Sequence, residues 1–261
     1  PAIGPIRSSR LYFIAWASEW HAAYVHAGGS PQAIALLNSN QGKGSVVYDA
    51  NVFHYGNAFS GRISSRFAPH NLYSDGRRLR RFAKAIGAAS YDTVPAPIWT
   101  FAADAPLAKR PAGAKLTVPY PANVIQYAYS RKTNTWLRTV TNEGKQVDAG
   151  TKERLAPKNV VVMIVPFVPI GDKKHRLDGH VSGTGVAWFA VNGLIFKGTW
   201  SKASFTAPTH FFDKSGNPVT LAIGQTFVQI VPKGTVLTFT KGTIPAPVPS
   251  PSPSPSPSAA P

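Results

Sequence analysis

Asn192 and Gly193 stand between two apolar, strand-like runs at residues 186–191 and 194–200. A two-residue type I′ turn needs positive φ at both central positions, and Asn-Gly meets that need at low cost, so this stretch predicts an antiparallel hairpin. Other short β-rich runs follow the same grammar, at residues 123–129, 136–140, 160–165 and 227–231, and residues 214–217 (KSGN) read as a further turn. No repeat of fixed period links them, so the region from about residue 116 to 243 is expected to be a mainly antiparallel β unit rather than a solenoid or propeller.

Residues 1–115 carry a different pattern, in which helical and strand signals alternate. Residues 11–15 read as a short apolar strand, 16–22 as one or two helical turns, and 24–26 as a strand ahead of Gly28 and Gly29. Ser30 is a good N-cap, Pro31 suits the first helical position, and Ala33, Ile34, Leu36 and Leu37 supply an apolar face. A second helix is signalled by Ser74 or Asp75 as cap, by Leu79, Phe82, Ala83 and Ile86 at helical spacing, and by Gly87 as its end. The expected fold is α+β, with a mixed α/β subdomain over residues 1–115 and a β-rich one over 116–243. Residues 244–261 (IPAPVPSPSPSPSPSAAP) have neither charge nor aromatic ring and are expected to be a disordered, extended tail, either wall-spanning or O-glycosylated or without function.

Composition narrows the chemistry. There is no cysteine, which removes disulfides, thiolate metal sites and thiol nucleophiles. The 28 Lys and Arg against 11 Asp and Glu give a net charge of +17 and favour anionic partners. The charge is split evenly, with 13 basic and 5 acidic residues before position 116 and 15 and 6 over 116–243. The longest uncharged apolar run, 159–171, is shorter than the roughly 18 residues of a membrane-spanning helix and holds Pro166 and Pro169.

The stretch at residues 3–31, IGPIRSSRLYFIAWASEWHAAYVHAGGSP, resembles the opening motif of the YerB-like family of bacterial lipoproteins, approximately GPVRSARxYF followed by VHAGGSP. Residues 67–73, FAPHNLY, are similar to that family's RAPHNLY. Residues 159–162, NVVV, and 182–200, SGTGVAWFAVNGLIFKGTW, are similar to motifs of its second half. Ser9 and Phe67 stand where the family has Ala and Arg. The resemblance implies paired N- and C-terminal family domains and an extracytoplasmic place in the cell envelope or secreted. It also implies a lipid anchor in a segment outside these residues, and a further stretch before the first motif, without which the first domain is incomplete. It implies no established activity.

Several constellations could carry chemistry. Arg7 and Arg10 flank two serines at a spacing that lets two guanidiniums meet one anion, although each could instead pair with a carboxylate or stay solvated. Gly29 and Ser30 open a helix, whose free amides suit an anion, or form an ordinary capped turn. His26 and His70 lie in motifs and are the candidate catalytic acid/base residues, with a satisfied structural histidine as the alternative; Asn71 could donate to an oxyanion or close a turn. Arg77, Arg78, Arg80, Arg81 and Lys84 place five cations in eight residues of one helix, a surface for phosphates, anionic lipid or an acidic wall polymer, or a solvated face. The six tryptophans lie mostly in apolar runs, as core residues do. No GxSxG elbow, metal-ligand spacing or nucleotide loop is present, and no metal or cofactor is expected.

Three functions follow as expectations. The first is binding of an anionic envelope polymer or phosphate-bearing ligand, with room for an envelope protein partner. The second is a hydrolase or transferase acting on a phosphorylated or glycosyl envelope substrate. The third is nonspecific nucleic-acid or anionic-membrane binding through the basic helix; with no base-reading motif, sequence-specific nucleic-acid recognition is not expected.

Overall fold

The structure is a computed structural model that describes residues 2–88 and 98–246. Residues 89–97, and residues 247–261 of the Pro/Ser-rich tail, lie outside the described residues. Three helices, α1 (Leu11–Ala17), α2 (Pro31–Asn38) and α3 (Gly76–Ala85), precede two five-stranded sheets, an α+β arrangement.

The first sheet orders Gly144–Lys145, Thr135–Val140, Val124–Ser130, Lys115–Pro119 and Thr238–Thr240, antiparallel throughout. The second orders Thr209–Phe212, Leu194–Lys202, Gly183–Val191, Asn159–Val165 and Thr226–Pro232, antiparallel except for its last pair, which is parallel. The hairpin forms as expected: Val191 pairs with Leu194, and Asn192 and Gly193 hold φ of 51° and 79°. At the other predicted turn, the Asp213 carboxylate accepts from the amides of Ser215 and Asn217.

The central strand of the second sheet, NVVVMIV, reads as an unbroken apolar run because both of its faces are covered. Val160 and Val162 meet Leu116, Ile125, Tyr127 and Trp136 between the sheets, while Val161, Met163 and Val165 pack on the opposite side with Phe189, Trp200 and Ala15 of α1. Asn159 at its start is wholly buried and fully bonded. Its side chain accepts from the Ala222 amide at 2.8 Å and donates to the Ala222 carbonyl at 2.8 Å and to Thr226 Oγ1 at 3.0 Å.

Residues 11–15, read from sequence as a strand, are helical. The run LYFIAWA is apolar on every side because α1 is sandwiched: Tyr12, Ala15 and Trp16 face the second sheet, while Ile14 and Ala17 pack with Ala33, Leu37 and Val47. A run that is apolar all round lacks the periodicity that separates a helix from a strand. The other two helices form as predicted. Ser30 Oγ accepts from the Ala33 amide at 3.3 Å with Pro31 at the first position, and Asp75 caps α3. Helix α2 is the crossover between the parallel strands Ala23–His26 and Tyr48–Asn51.

A buried ion pair joins the two parts of the chain. Lys202 Nζ, with no solvent exposure, lies 2.7 Å from Glu19 Oε1 and also donates to the Ala207 carbonyl. Glu19 in addition accepts from the Thr209 hydroxyl at 2.7 Å and its amide at 3.1 Å, so the carboxylate is matched on both oxygens.

Candidate anion-binding face

The motif segments near the start of the chain converge. The backbone at residues 7–9 lies beside 27–29: the Ala27 amide donates to Arg7 O, Ser9 N to Gly28 O and Ser30 N to Ser9 O. Gly28 takes φ of 65°, and a Cβ on Gly29 would stand 3.1 Å from the Ser9 Cβ, so the two glycines permit a turn and a close approach. Ser30 is therefore engaged at both its amide and its hydroxyl. Arg10 donates to the Ser9 carbonyl at 2.7 Å, while Arg7 reaches away to His70. Among the described residues no shared partner brings the two guanidiniums together.

His26 is 1% exposed and enclosed. Its Nδ1 faces Gly28 O at 2.8 Å and its Nε2 faces Asp49 Oδ1 at 2.6 Å, with the Tyr24 ring stacked on it. Both ring nitrogens are thus used in holding neighbouring segments together, and no face is left for a substrate.

The FAPHNLY motif does something different. It forms the loop between the antiparallel strands Gly61–Arg62 and Leu72–Asp75. Asn71 closes the loop: its side chain donates to Ile63 O at 3.3 Å, and its carbonyl accepts from the Ile63 amide at 2.8 Å. The Asn71 Oδ1 then accepts from Arg62 Nη1 at 2.7 Å. One residue earlier, His70 Nδ1 accepts from Arg7 Nη1 at 2.8 Å, since a guanidinium can only donate. Consecutive motif residues therefore each hold one exposed arginine.

Strand Leu72–Asp75 runs directly into α3. Asp75 Oδ1 accepts from the amides of Arg77 and Arg78, each at 2.9 Å. The Arg78 and Arg77 amides, with the Arg78 guanidinium 3.5 Å away, hold the Asp75 carboxyl below its ordinary range. Phe82 and Ala83 are buried, with Phe82 stacked on Phe59 at 4.4 Å, so Arg77, Arg78, Arg80, Arg81 and Lys84 point to solvent. Two adjoining hollows follow the surface. One of about 860 Å³ is lined by Ile3, Asp75, Gly76 and the four α3 arginines. The other, of about 670 Å³, is lined by residues that include Ser60, Arg62, Tyr73 and Arg78.

The charges on this face lack counter-charges. Residues 2–88 contain ten Lys and Arg but three carboxylates, Glu19, Asp49 and Asp75. Glu19 is bound to Lys202, Asp49 to His26, and Asp75 to the start of α3. Among the described residues, Arg7, Arg62, Arg66, Arg77, Arg80, Arg81 and Lys84 form no salt bridge.

Of the sequence candidates, the structure thus brings Arg7 to His70 and sets Asn71 beside them, and it leaves the α3 cations exposed. It keeps His26, Arg10, Gly29 and Ser30 in a separate, internally bonded cluster. Arg62 lies in no motif and carries no sequence signal. Among the tryptophans, Trp136 and Trp200 are buried, whereas Trp20 is 51% exposed, against the expectation of core packing.

Comparison with known proteins places the chain. Residues 1–89 match the N-terminal domain, and residues 116–228 the C-terminal domain, of a family described as "Protein of unknown function (DUF3048)". A protein of Bacillus subtilis (strain 168) named "Putative lipoprotein YerB" is 24% identical over 249 residues, covering 92% of this chain and 70% of that protein. The crystal structure of the YerB protein from Bacillus subtilis superposes with a TM-score of 0.77 at 20% identity, over 92% of this chain and 78% of the other, and so has the same fold. Among the described residues no helix is long and apolar enough to cross a membrane. The chain belongs to the DUF3048, YerB-like family.

Proposed function

We propose that this chain is a cell-envelope module that binds an anionic, phosphate-bearing ligand on the face formed by the FAPHNLY loop and α3. The observation that carries this reading is the shortage of counter-charge: every carboxylate of residues 2–88 is engaged, and seven cations on or near one surface have none. Guanidiniums held by Asn71 and His70 are pre-positioned to donate to phosphate oxygens, which lowers the ordering cost of binding. The name of the Bacillus subtilis relative supports an envelope setting. Calorimetry with inorganic polyphosphate should give binding that weakens steeply with salt. Replacing Arg62, Arg78 and Arg81 by Glu should remove it, and binding unchanged in that variant would refute the assignment.

A hydrolase or transferase reading would rest on His70, which is exposed and has Nε2 available beside the Arg7 guanidinium. It is tested by screening phosphorylated and glycosyl substrates: a turned-over substrate on which His70→Ala matches the parent chain would exclude His70 as the acid/base group.

A further inference from the structure

Resting on that reading, we infer that the phosphate groups this face meets are those of an anionic lipid surface, and that Phe67 is the side chain that enters it. Phe67 is 92% exposed, the most exposed large apolar residue described. An exposed phenyl ring contributes nothing to recognition of a soluble phosphate. A ring raised among arginines suits a bilayer interface, where the ring enters the acyl boundary and the cations stay at headgroup level.

The loop around it is built for presentation. The Ile63–Asn71 backbone pair closes its base, the His70 amide donates to Phe67 O at 2.8 Å, and residues 64–70 are all exposed. Arg66 is the preceding residue, Arg62 is held by Asn71 and Arg7 by His70, so the loop carries or holds three guanidiniums. Phe53, itself 59% exposed, lines a hollow shared with Arg62 and offers a second apolar contact. From residue 50 to 74 there is no Asp or Glu, so no carboxylate on these segments repels an anionic surface.

The test compares vesicles with a soluble polyanion, using the whole chain. Sedimentation with vesicles of phosphatidylglycerol and phosphatidylcholine should show binding that pure phosphatidylcholine vesicles lack. Phe67→Ser should weaken vesicle binding on the order of tenfold, the effect of withdrawing one partly inserted ring, and leave polyphosphate binding unchanged. Arg62→Ala with Arg66→Ala should weaken both. Phe67→Trp should bind vesicles as the parent does and add lipid-dependent quenching by brominated phosphatidylglycerol beyond that of the six native tryptophans. If polyphosphate binds but the vesicles do not, or if Phe67→Ser binds vesicles as the parent does, the lipid inference fails while the anion reading stands. Failure to bind either probe removes both.

Discussion

The two parts of the chain carry almost the same net charge, +8 over residues 1–115 and +9 over 116–243, yet they distribute it differently. In the C-terminal part several cations have internal partners, while exposed lysines such as Lys145, Lys173 and Lys214 stand apart on separate segments. Lys158 lies 2.6 Å from Asp104 and holds that carboxyl below its ordinary value, Arg131 donates to the Arg110 and Leu107 carbonyls, Arg154 reaches Thr139, and Arg138 stacks over Phe227 at 5.0 Å. In the N-terminal part five cations stand on one exposed side of α3 and three more arginines on the adjoining loop and segment. Net charge alone therefore does not locate a binding face; the distribution of partners does.

The two parts differ in where their charge lies, but the Glu19–Lys202 pair makes them one in stability. Glu19→Ala would leave a fully buried ammonium without its carboxylate and should cost about 3–5 kcal/mol, the largest single effect expected. Urea denaturation followed by tryptophan fluorescence measures it. The double replacement Glu19→Met with Lys202→Met should recover only part of the loss, because it removes both buried charges but takes from the Thr209 amide and hydroxyl and the Ala207 carbonyl the partners they had. A loss below about 1 kcal/mol in Glu19→Ala would mean that the seam is not closed to water.

Next in size is the effect that separates the two surfaces. Reversing Arg77, Arg78 and Arg81 to Glu should weaken polyphosphate binding about a hundredfold or more, on the basis of about 1 kcal/mol for each cation near an anionic surface. Reversing the exposed Lys145, Lys173 and Lys174 changes net charge equally and should alter binding less than threefold, roughly the scale of a screened long-range effect. Equal losses in the two triple variants would show that total charge is what matters, and would erase the contrast between the parts.

Within the β part, Asn159 sets the scale for a single buried polar group. Asn159→Leu would leave the buried Ala222 amide and carbonyl without partners and should cost about 1–3 kcal/mol by thermal or urea unfolding. The corresponding change on the N-terminal surface, Arg81→Leu, replaces an exposed side chain that forms no salt bridge among the described residues and should move stability by less than about 0.5 kcal/mol.

How far these features could be read from the residues depended on whether their cause was local. The caps at Ser30 and Asp75, the Phe82 stripe of α3 and the Asn192-Gly193 hairpin are local, and each appears where the residues put it. Helix α1 was not legible because it packs on two sides and so shows no polar face. The parallel pairing of Asn159–Val165 with Thr226–Pro232 joins segments more than sixty residues apart, and no short pattern encodes it. At the site, motif membership pointed to His70, Arg7 and Asn71, but Arg62 becomes a partner only when the Gly61–Arg62 strand folds onto Leu72–Asp75. Lys202 had a faint signal. It lies two residues from Trp200 on a strand, hence on the same inward face, where a lysine requires a buried carboxylate.

An effect confined to high pH tests the dry side of the contrast, the space between the two sheets. Tyr120 donates to Gln229 Oε1 at 2.6 Å, and Gln229 Nε2 donates to the Tyr127 hydroxyl at 2.6 Å, so a short polar chain crosses the inter-sheet core. Burial disfavours the phenolate and, with the nearby Tyr127, pushes the Tyr120 hydroxyl up to about 12. A raised value means that the folded state holds its proton more tightly than the unfolded chain does. The contribution to stability is therefore fully present below the ordinary phenol value near 10 and is lost as pH rises from there through about 12. Ultraviolet difference titration of the parent chain against Tyr120→Phe isolates this one phenol. A midpoint near 10 while the chain remains folded would mean that water reaches Tyr120 and that the sheets are not sealed there.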